Sequence, residues 1–148
     1  MIRESEKLPA EALTGLPAII EIISRDKDIS AFYSFGSLIN NRLSPLSDLD
    51  FGILLSDELN REERFDKHLD LIAGFNSVFK TDEIDLIIMN DAPPRFNYNI
   101  IKTGELLFVR DKARVAEFQE YAIKEYLDFK YYKDEFDSFF LKGIGYHG

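Results

Sequence analysis

Two aspartates, Asp48 and Asp50, stand two positions apart at the start of an apolar segment that extends to Leu55. If this segment is a β-strand, both carboxylates lie on one face, because side chains alternate between the two faces of a strand. Two carboxylates on a largely hydrophobic strand cost free energy unless something neutralises them. Hard divalent cations such as Mg²⁺ do so, since their preferred ligands are oxygen atoms. The spacing therefore predicts a site for divalent metal ions.

A third acid, Asp85, repeats this pattern in a later apolar segment, residues 83–89. If that segment forms a strand beside the first, the Asp85 carboxylate lies roughly 5 Å from one of the pair. Three acids placed in this way can hold two metal ions about 4 Å apart, one at an attacking oxygen and one at a leaving phosphate. Gly52 belongs to the same face as Asp48 and Asp50, and we expect it to leave space beside the ions.

Gly36 and Ser37 follow an apolar segment and precede the two aspartates by ten intervening residues. A glycine after a strand lets the backbone come close to a ligand. If residues 38–42 begin a helix, its free N–H groups and the Ser37 hydroxyl can hold phosphate oxygens. Metal ions on one side and amides on the other would hold a triphosphate in line for displacement. Each feature alone is common in turns and caps, so the prediction rests on their combination.

The elements that position these residues follow from hydrophobic periodicity. The pattern predicts the order α-β-β-α-β-α-β-α, which indicates an α/β (α+β) fold with a mixed central sheet of about four strands flanked by helices. We expect a single domain, residues 1–148, with a core of about residues 10–110 and a C-terminal helix of about residues 111–140. The predicted strands are residues 29–35, 48–55, 83–89 and about 106–109.

Two of the predicted helices carry informative side chains. Asn60 followed by Glu63 indicates a capping box at the start of the helix between the second and third strands. We expect that helix to bury one apolar face, which consists of Phe65, Leu69, Ile72, Phe75 and Phe79. The C-terminal helix is longer than a small domain is wide, about 45 Å for 30 residues. Its last turns are rich in Phe and Tyr, and they are a candidate surface for a partner or for self-association.

The composition narrows the class of protein. Apolar residues make up 45% and charged residues 30%, which is typical of a globular domain. Cysteine is absent, so disulfides and thiolate metal sites are excluded. The formal charge of -9 disfavours broad nucleic-acid binding, because an acidic surface repels phosphate backbones. The sequence has neither a secretory signal nor an apolar run that would cross a membrane, and we expect a cytoplasmic protein.

The motif Gly36-Ser37, ten residues, then Asp48-Leu49-Asp50 resembles the signature of the DNA polymerase β-type nucleotidyltransferase superfamily. Within it, the chain is most similar to the small MNT (minimal nucleotidyltransferase) proteins, and residues 44–50 are especially characteristic. The similarity covers most of the chain.

The resemblance implies roles for individual residues. Gly36 and Ser37 would bind the triphosphate, Asp48 and Asp50 would bind two Mg²⁺ ions, and Asp85 would be the third acid, near the attacking hydroxyl. Where relatives commonly have a basic residue and then a glycine, this chain has asparagines at positions 40 and 41. The neighbouring Arg42 is the candidate cation for the phosphates.

Many MNT proteins are antitoxins of HEPN ribonuclease toxins. The resemblance therefore implies that this chain adds AMP from ATP to a tyrosine of a HEPN-type toxin. One alternative is nucleotide transfer to a small cationic acceptor resembling an aminoglycoside, although few residues after Asp85 remain for an acceptor domain. Another is an antitoxin that acts by binding alone. The intact acids favour an enzyme.

Overall fold

The computed structural model describes residues 4–35, 49–80 and 84–143 of the chain. It contains four helices and four strands in these ranges, in the predicted order, so the predicted fold class is confirmed. A short 3₁₀ turn, Met89–Asp91, follows the third strand. In chain order the elements are α1 (Glu4–Arg25), β1 (Ile29–Phe35), β2 (Leu49–Leu55), α2 (Arg61–Phe79), β3 (Ile84–Ile88), α3 (Pro94–Thr103), β4 (Glu105–Val109) and α4 (Lys112–Gly143).

The strands form a mixed sheet in the order β3-β2-β1-β4. β1 is antiparallel to both β2 and β4, whereas β2 and β3 are parallel. A parallel pair needs a crossover connection, which α2 supplies. The carboxyl end of β1 consequently lies beside the amino ends of β2 and β3, and we call this end of the sheet the acidic end.

One face of the sheet packs against α1 and α2 around a group of phenylalanines. Phe32 of β1 and Phe51 of β2 stack with their ring centroids 5.2 Å apart, and Phe75 of α2 meets Phe51 edge-on at 5.4 Å. Phe79 stacks on the other side of this group, 5.7 Å from Phe51. These rings fix α2, and hence the crossover, on the sheet.

The opposite face packs against α3 and α4. Its buried residues are Ala31, Tyr33, Leu54, Met89, Ile100 and Val115. The side chains of β2 alternate as the sequence predicts, because Phe51, Ile53 and Leu55 belong to the first face and Leu54 to the second. Asp50 and Gly52 therefore share the face that α3 and α4 cover.

The buried face of α2 differs from the prediction. Leu71, Phe75 and Phe79 are buried, but Phe65 is 60% exposed and Leu69 is 51% exposed. Ten residues at about 100° each leave Phe65 roughly 80° away from Phe75 around the helix axis. The apolar pattern of α2 thus contains a buried stripe and two additional side chains at the surface.

The predicted capping box of α2 is present, and α4 also begins with a side-chain cap. The Asn60 side chain accepts a hydrogen bond from the Glu63 backbone N–H at 2.8 Å, and the Asn60 N–H donates to the Glu63 carboxylate at 2.9 Å. At the start of α4, the Asp111 carboxylate accepts from the N–H groups of Ala113 and Arg114. These side chains satisfy backbone donors that a helix leaves unpaired at its first turn.

Only the first half of α4 contributes to the core. Val115 and Ala122 are each 3% exposed, whereas Phe129 is 55% exposed and Phe139 is 80% exposed. The exposed aromatic side chains of the second half, which we call the α4 aromatic surface, are Phe129, Tyr131, Tyr132, Phe136 and Phe139. No helix of the described ranges is both long enough and apolar enough to cross a membrane.

Candidate active site

Asp50 and Asp85 are register partners across the parallel strands β2 and β3. Neighbouring strands lie about 4.8 Å apart, and paired residues direct their side chains to the same face. The two carboxylates therefore stand side by side at the acidic end, on the face covered by α3 and α4. Asp50 is half-buried and Asp85 is exposed to solvent. This arrangement can present oxygen atoms from both strands to one ligand.

The end of β1 reaches the same place. Phe35, the last residue of β1, is the register partner of Asp50 on β2. Leu49, the first residue of β2, is paired with Ile84 of β3. The predicted site residues Gly36, Ser37, Arg42 and Asp48 lie outside the described residues. Their sequence neighbours Phe35 and Leu49 both lie at the acidic end.

The donor set of the acid pair fits a divalent metal ion. Carboxylate oxygens are the ligands that Mg²⁺ prefers, and two like charges directly opposite each other on neighbouring strands repel when nothing lies between them. Among the residues that the structure describes, no three acids or histidines come together as a metal site. The pair supplies two of the three predicted acids, and the role of all three as metal ligands stays a prediction.

Gly52 does not leave open space beside the acids, contrary to the expectation from the sequence. A Cβ atom on Gly52 would lie 3.1 Å from Met89 Sδ and 3.4 Å from Ile100 Cδ1. Met89, which follows β3, and Ile100 of α3 therefore fill this space. The absent side chain of Gly52 lets α3 pack directly on β2, close to Asp50, and so helps to form the wall beside the acid pair.

Two asparagine side chains fix the segment that follows β3. The Asn90 side chain donates to the Leu55 carbonyl oxygen at 2.9 Å and accepts from the Leu55 N–H at 2.8 Å. The buried Asn97 side chain donates to the Met89 carbonyl oxygen at 2.9 Å. These bonds tie β3 and α3 to the end of β2, and they hold Met89 against Gly52.

A cleft of about 510 Å³ runs along the outer side of β3, and we call it the β3 cleft. Asp85 is part of its lining. α2 contributes one wall, and the segment that leads from β3 into α3 contributes the other. The side chains of these walls include Arg61, Arg64, Phe65, His68, Asp91 and Phe96. The sequence alone did not predict this cleft, because its walls come from segments that are distant in the chain.

Polar contacts hold the two walls of the β3 cleft in place. The Arg64 guanidinium donates to both oxygens of Asp91, at 2.9 Å through Nε and 2.6 Å through Nη2. These bonds hold the pKa of Asp91 below its usual range. His68 Nε2 lies 2.7 Å from the Leu86 carbonyl oxygen, which can only accept, so this nitrogen carries the proton. This bond holds the half-buried His68 ring against β3.

A second cleft, of about 450 Å³, lies at the other end of the sheet, away from the acid pair. Arg114 in its lining donates to the Leu55 carbonyl oxygen at 2.8 Å and to the Asp57 carboxylate at 2.7 Å. Its guanidinium is therefore engaged in holding α4 to the sheet. On the same face of the sheet, Tyr98 of α3 stacks on Tyr126 of α4 with the ring centroids 4.1 Å apart.

A family model described as "Polymerase beta, Nucleotidyltransferase" matches residues 18–113, which is more than half of the chain. The chain belongs to this nucleotidyltransferase family. The matched range extends from α1 to the start of α4, and it includes the whole sheet with Asp50 and Asp85. The resemblance to the polymerase β-type superfamily that the Gly-Ser and Asp-x-Asp motifs indicate is thus confirmed. No curated protein sequence matches this one.

Solved structures of toxin–antitoxin systems have the same nucleotidyltransferase fold. A chain of a toxin–antitoxin crystal structure with AMP-PNP has a TM-score of 0.65 at 16% identity, over 86% of this chain and 97% of that one. A chain from the tri-AMPylated Shewanella oneidensis HEPN toxin in complex with MNT antitoxin has a TM-score of 0.62 at 17% identity, over 88% and 98%. At sequence identities of 16% and 17%, these comparisons show that the fold is similar.

Proposed function

We propose that this chain is an MNT antitoxin that transfers AMP from ATP to a tyrosine hydroxyl of a HEPN ribonuclease toxin. The observation that carries the proposal is the pairing of Asp50 with Asp85 at one end of a nucleotidyltransferase sheet. The choice of acceptor is supported by the fold likeness to chains of toxin–antitoxin structures, one with AMP-PNP and one with a tri-AMPylated HEPN toxin.

In the proposed site, Asp48, Asp50 and Asp85 hold two Mg²⁺ ions. When bound, these ions would neutralise the charge that develops on the phosphate oxygens and lower the pKa of the acceptor hydroxyl. Oxygen donors on adjacent strands suit this role, because Mg²⁺ is bound by a few carboxylates together with substrate phosphates.

Gly36, Ser37 and Arg42 hold the triphosphate of ATP in the proposed site, through backbone N–H groups, a hydroxyl and a guanidinium. The tyrosine oxygen forms a bond to the α-phosphorus of ATP while the bond from that phosphorus to the bridging oxygen breaks. Pyrophosphate leaves, and the phenolic proton passes to a carboxylate, for which Asp85 is the candidate because it is exposed on the outermost strand. The products are pyrophosphate and an AMP–tyrosine phosphodiester.

The whole chain acts as one domain in this proposal, with the second half of α4 available to a macromolecule. Five aromatic side chains of the α4 aromatic surface are more than half exposed. Exposed apolar patches of this kind mark association surfaces in many proteins. The net charge of -9 favours a basic partner over a nucleic acid. The surface could contact the toxin or a second copy of the chain.

The decisive experiment incubates the chain with labelled ATP, Mg²⁺ and the protein encoded by the adjacent gene, and measures the mass of that protein. A gain of one or more AMP units supports the proposal when Asp50→Asn abolishes it. Asp70→Asn is the matched control, because Asp70 is an exposed acid on α2. Complex formation without a mass change would support an antitoxin that acts by binding alone, and transfer only to a small cationic compound would support the second alternative.

A further inference from the structure

We propose that the β3 cleft is the acceptor-binding site, and that it receives the aromatic side chain of the polypeptide that is modified. The inference rests on the proposed function and adds to it the surface that selects the acceptor. It follows from the order of the strands, the chemistry of the cleft walls and the position of Asp85.

The strand order places the cleft on the side opposite to the nucleotide. Across the sheet, β1 is followed by β2 with Asp50 and then by β3 with Asp85, and β3 is an edge of the sheet. The proposed triphosphate-binding residues follow directly after Phe35, at the end of β1. Phosphoryl transfer needs the attacking and leaving oxygens roughly in line. With the leaving pyrophosphate on the β1 side, the acceptor must approach from the β3 side.

The walls of the β3 cleft suit an aromatic ring. Phe65 of α2 is 60% exposed and Phe96 of α3 is 53% exposed, and both line the cleft. Aromatic rings bind one another in offset or edge-on arrangements that add to the gain from apolar burial. The cleft volume of about 510 Å³ is within the range of pockets that enclose a bound group. Asp85 belongs to the same lining, so the cleft and the acid pair share one carboxylate.

The backbone of β3 favours an acceptor that inserts a side chain into the cleft over one that adds a strand to the edge of the sheet. An unpaired edge strand can bind an extended polypeptide through its outward N–H and C=O groups. In this chain the outward carbonyl of Leu86 is already bonded to His68 of α2. The edge is therefore partly covered, and the remaining opening admits a side chain more easily than a strand. The exposed Arg61 at the rim would contact an acidic or carbonyl group of the acceptor beside the ring.

The first test measures transfer kinetics with the protein encoded by the adjacent gene as acceptor. Phe65→Ala and Phe96→Ala should each raise the KM for that protein about tenfold, the size expected for losing one aromatic contact and its buried area, with little change in kcat. The affinity for the ATP analogue AMP-PNP should stay at the wild-type value. Leu69→Ala is the matched control, because Leu69 is an exposed apolar residue of α2 that does not line the cleft.

An unchanged KM in both variants would overturn the cleft assignment and leave the proposed function standing. A complete lack of AMP transfer by the wild-type chain would overturn the proposed function and this inference together. Equal losses in the affinity for AMP-PNP and for the acceptor would also count against a separate acceptor site.

A second test does not depend on turnover. The chain contains no cysteine, so Phe65→Cys introduces a unique attachment point for a photo-crosslinker. The inference predicts crosslinks from this position to the peptide of the acceptor that carries the modified tyrosine. Leu69→Cys, one helical turn away, should give few crosslinks to that peptide. The reverse pattern would contradict the inference.

Discussion

Asp50 and Asp85 stand at matching positions on two parallel strands, so two negative charges meet at the acidic end of the sheet. Both strands are otherwise apolar in their described residues. Like charges directly opposite each other destabilise a sheet. The chain therefore places two acidic side chains together at this end of the sheet, and replacement of one of them tests the proposed site in the absence of any acceptor.

Replacement of Asp85 by asparagine should stabilise the fold and at the same time lower the activity. Without metal, Asp85→Asn should raise the free energy of unfolding by about 0.2–1 kcal/mol, because it removes one of two adjacent charges. AMP transfer should fall by at least about 100-fold, because the proposed function makes Asp85 a metal ligand. Thermal melts in EDTA and in Mg²⁺ measure the first effect. Mg²⁺ should raise the melting temperature of the wild type more than that of the variant, and equal shifts would contradict a metal site at this pair.

Two glycines should respond differently to substitution by alanine. In Gly52→Ala the new methyl group meets the flexible Met89 side chain at 3.1 Å, and we expect a loss of about 1–3 kcal/mol. In Gly104→Ala it lies 2.4 Å from the backbone oxygen of Ile100 and 2.9 Å from that of Ser34, so the loss should exceed 3 kcal/mol, above the usual range for overpacking. Urea unfolding measures both.

A double variant tests whether Gly52 is needed to leave room for the Met89 side chain. Met89→Ala alone should create a cavity and destabilise the chain by about 2–5 kcal/mol. Combined with Gly52→Ala, it should cost less than the sum of the two single changes, because the new methyl group occupies part of the cavity. Strict additivity would mean that the two side chains do not compete for the same space.

The buried Tyr33 should limit stability at high pH. Burial raises the pKa of Tyr33 above its usual value, although the hydrogen bond from Gln119 opposes this shift. Since the folded pKa exceeds the unfolded one, the contribution of neutral Tyr33 is complete below about pH 10 and is lost as the pH rises through the folded pKa. Above pH 10 the wild type should lose up to about 1.4 kcal/mol per pH unit relative to Tyr33→Phe. Melting temperatures from pH 8 to pH 11 test this, with the exposed Tyr132→Phe as control.

The α4 aromatic surface should matter for association and little for folding. Phe129→Ser combined with Phe139→Ser replaces side chains that are 55% and 80% exposed, so the stability of the isolated chain should change by no more than about 1 kcal/mol in total. The affinity for a bound partner should fall at least about tenfold, as when apolar anchors are removed from an interface. Light scattering of the chain with and without the adjacent-gene product distinguishes a partner surface from self-association. Unchanged assembly in both samples would contradict either role.

Local patterns in the sequence predicted most of the fold. The strand Ile29–Phe35 and the capping box of Asn60 and Glu63 depend on neighbouring residues, and both are present. The sequence pattern predicted that Phe65 and Leu69 are buried, and this was wrong. They stand ten and six positions before Phe75, and these spacings place them well away from Phe75 around a helix. Apolar type alone did not show which of these side chains meet the sheet.

The site was predictable only up to the pairing of strands. Asp50 and Asp85 could be placed together on the condition that their strands are neighbours, and that condition depends on topology. The filling of the space at Gly52 and the walls of the β3 cleft depend on contacts between α2, α3 and β2 that no local pattern contains. Such contacts are set by how the helices pack once the sheet has formed.

The connection between β2 and β3 through α2 allows the acid pair to separate before the rest of the protein unfolds. Asp50 and Asp85 are thirty-five positions apart, and the chain passes from one to the other through a helix anchored by Phe75 and Phe79. β1 and β2 share a ladder of their own, whereas β3 has a neighbour on one side only. A partial opening that releases this outermost strand would split the two charges apart while most of the protein stays native. Activity would then disappear in mild denaturant before the main unfolding transition begins.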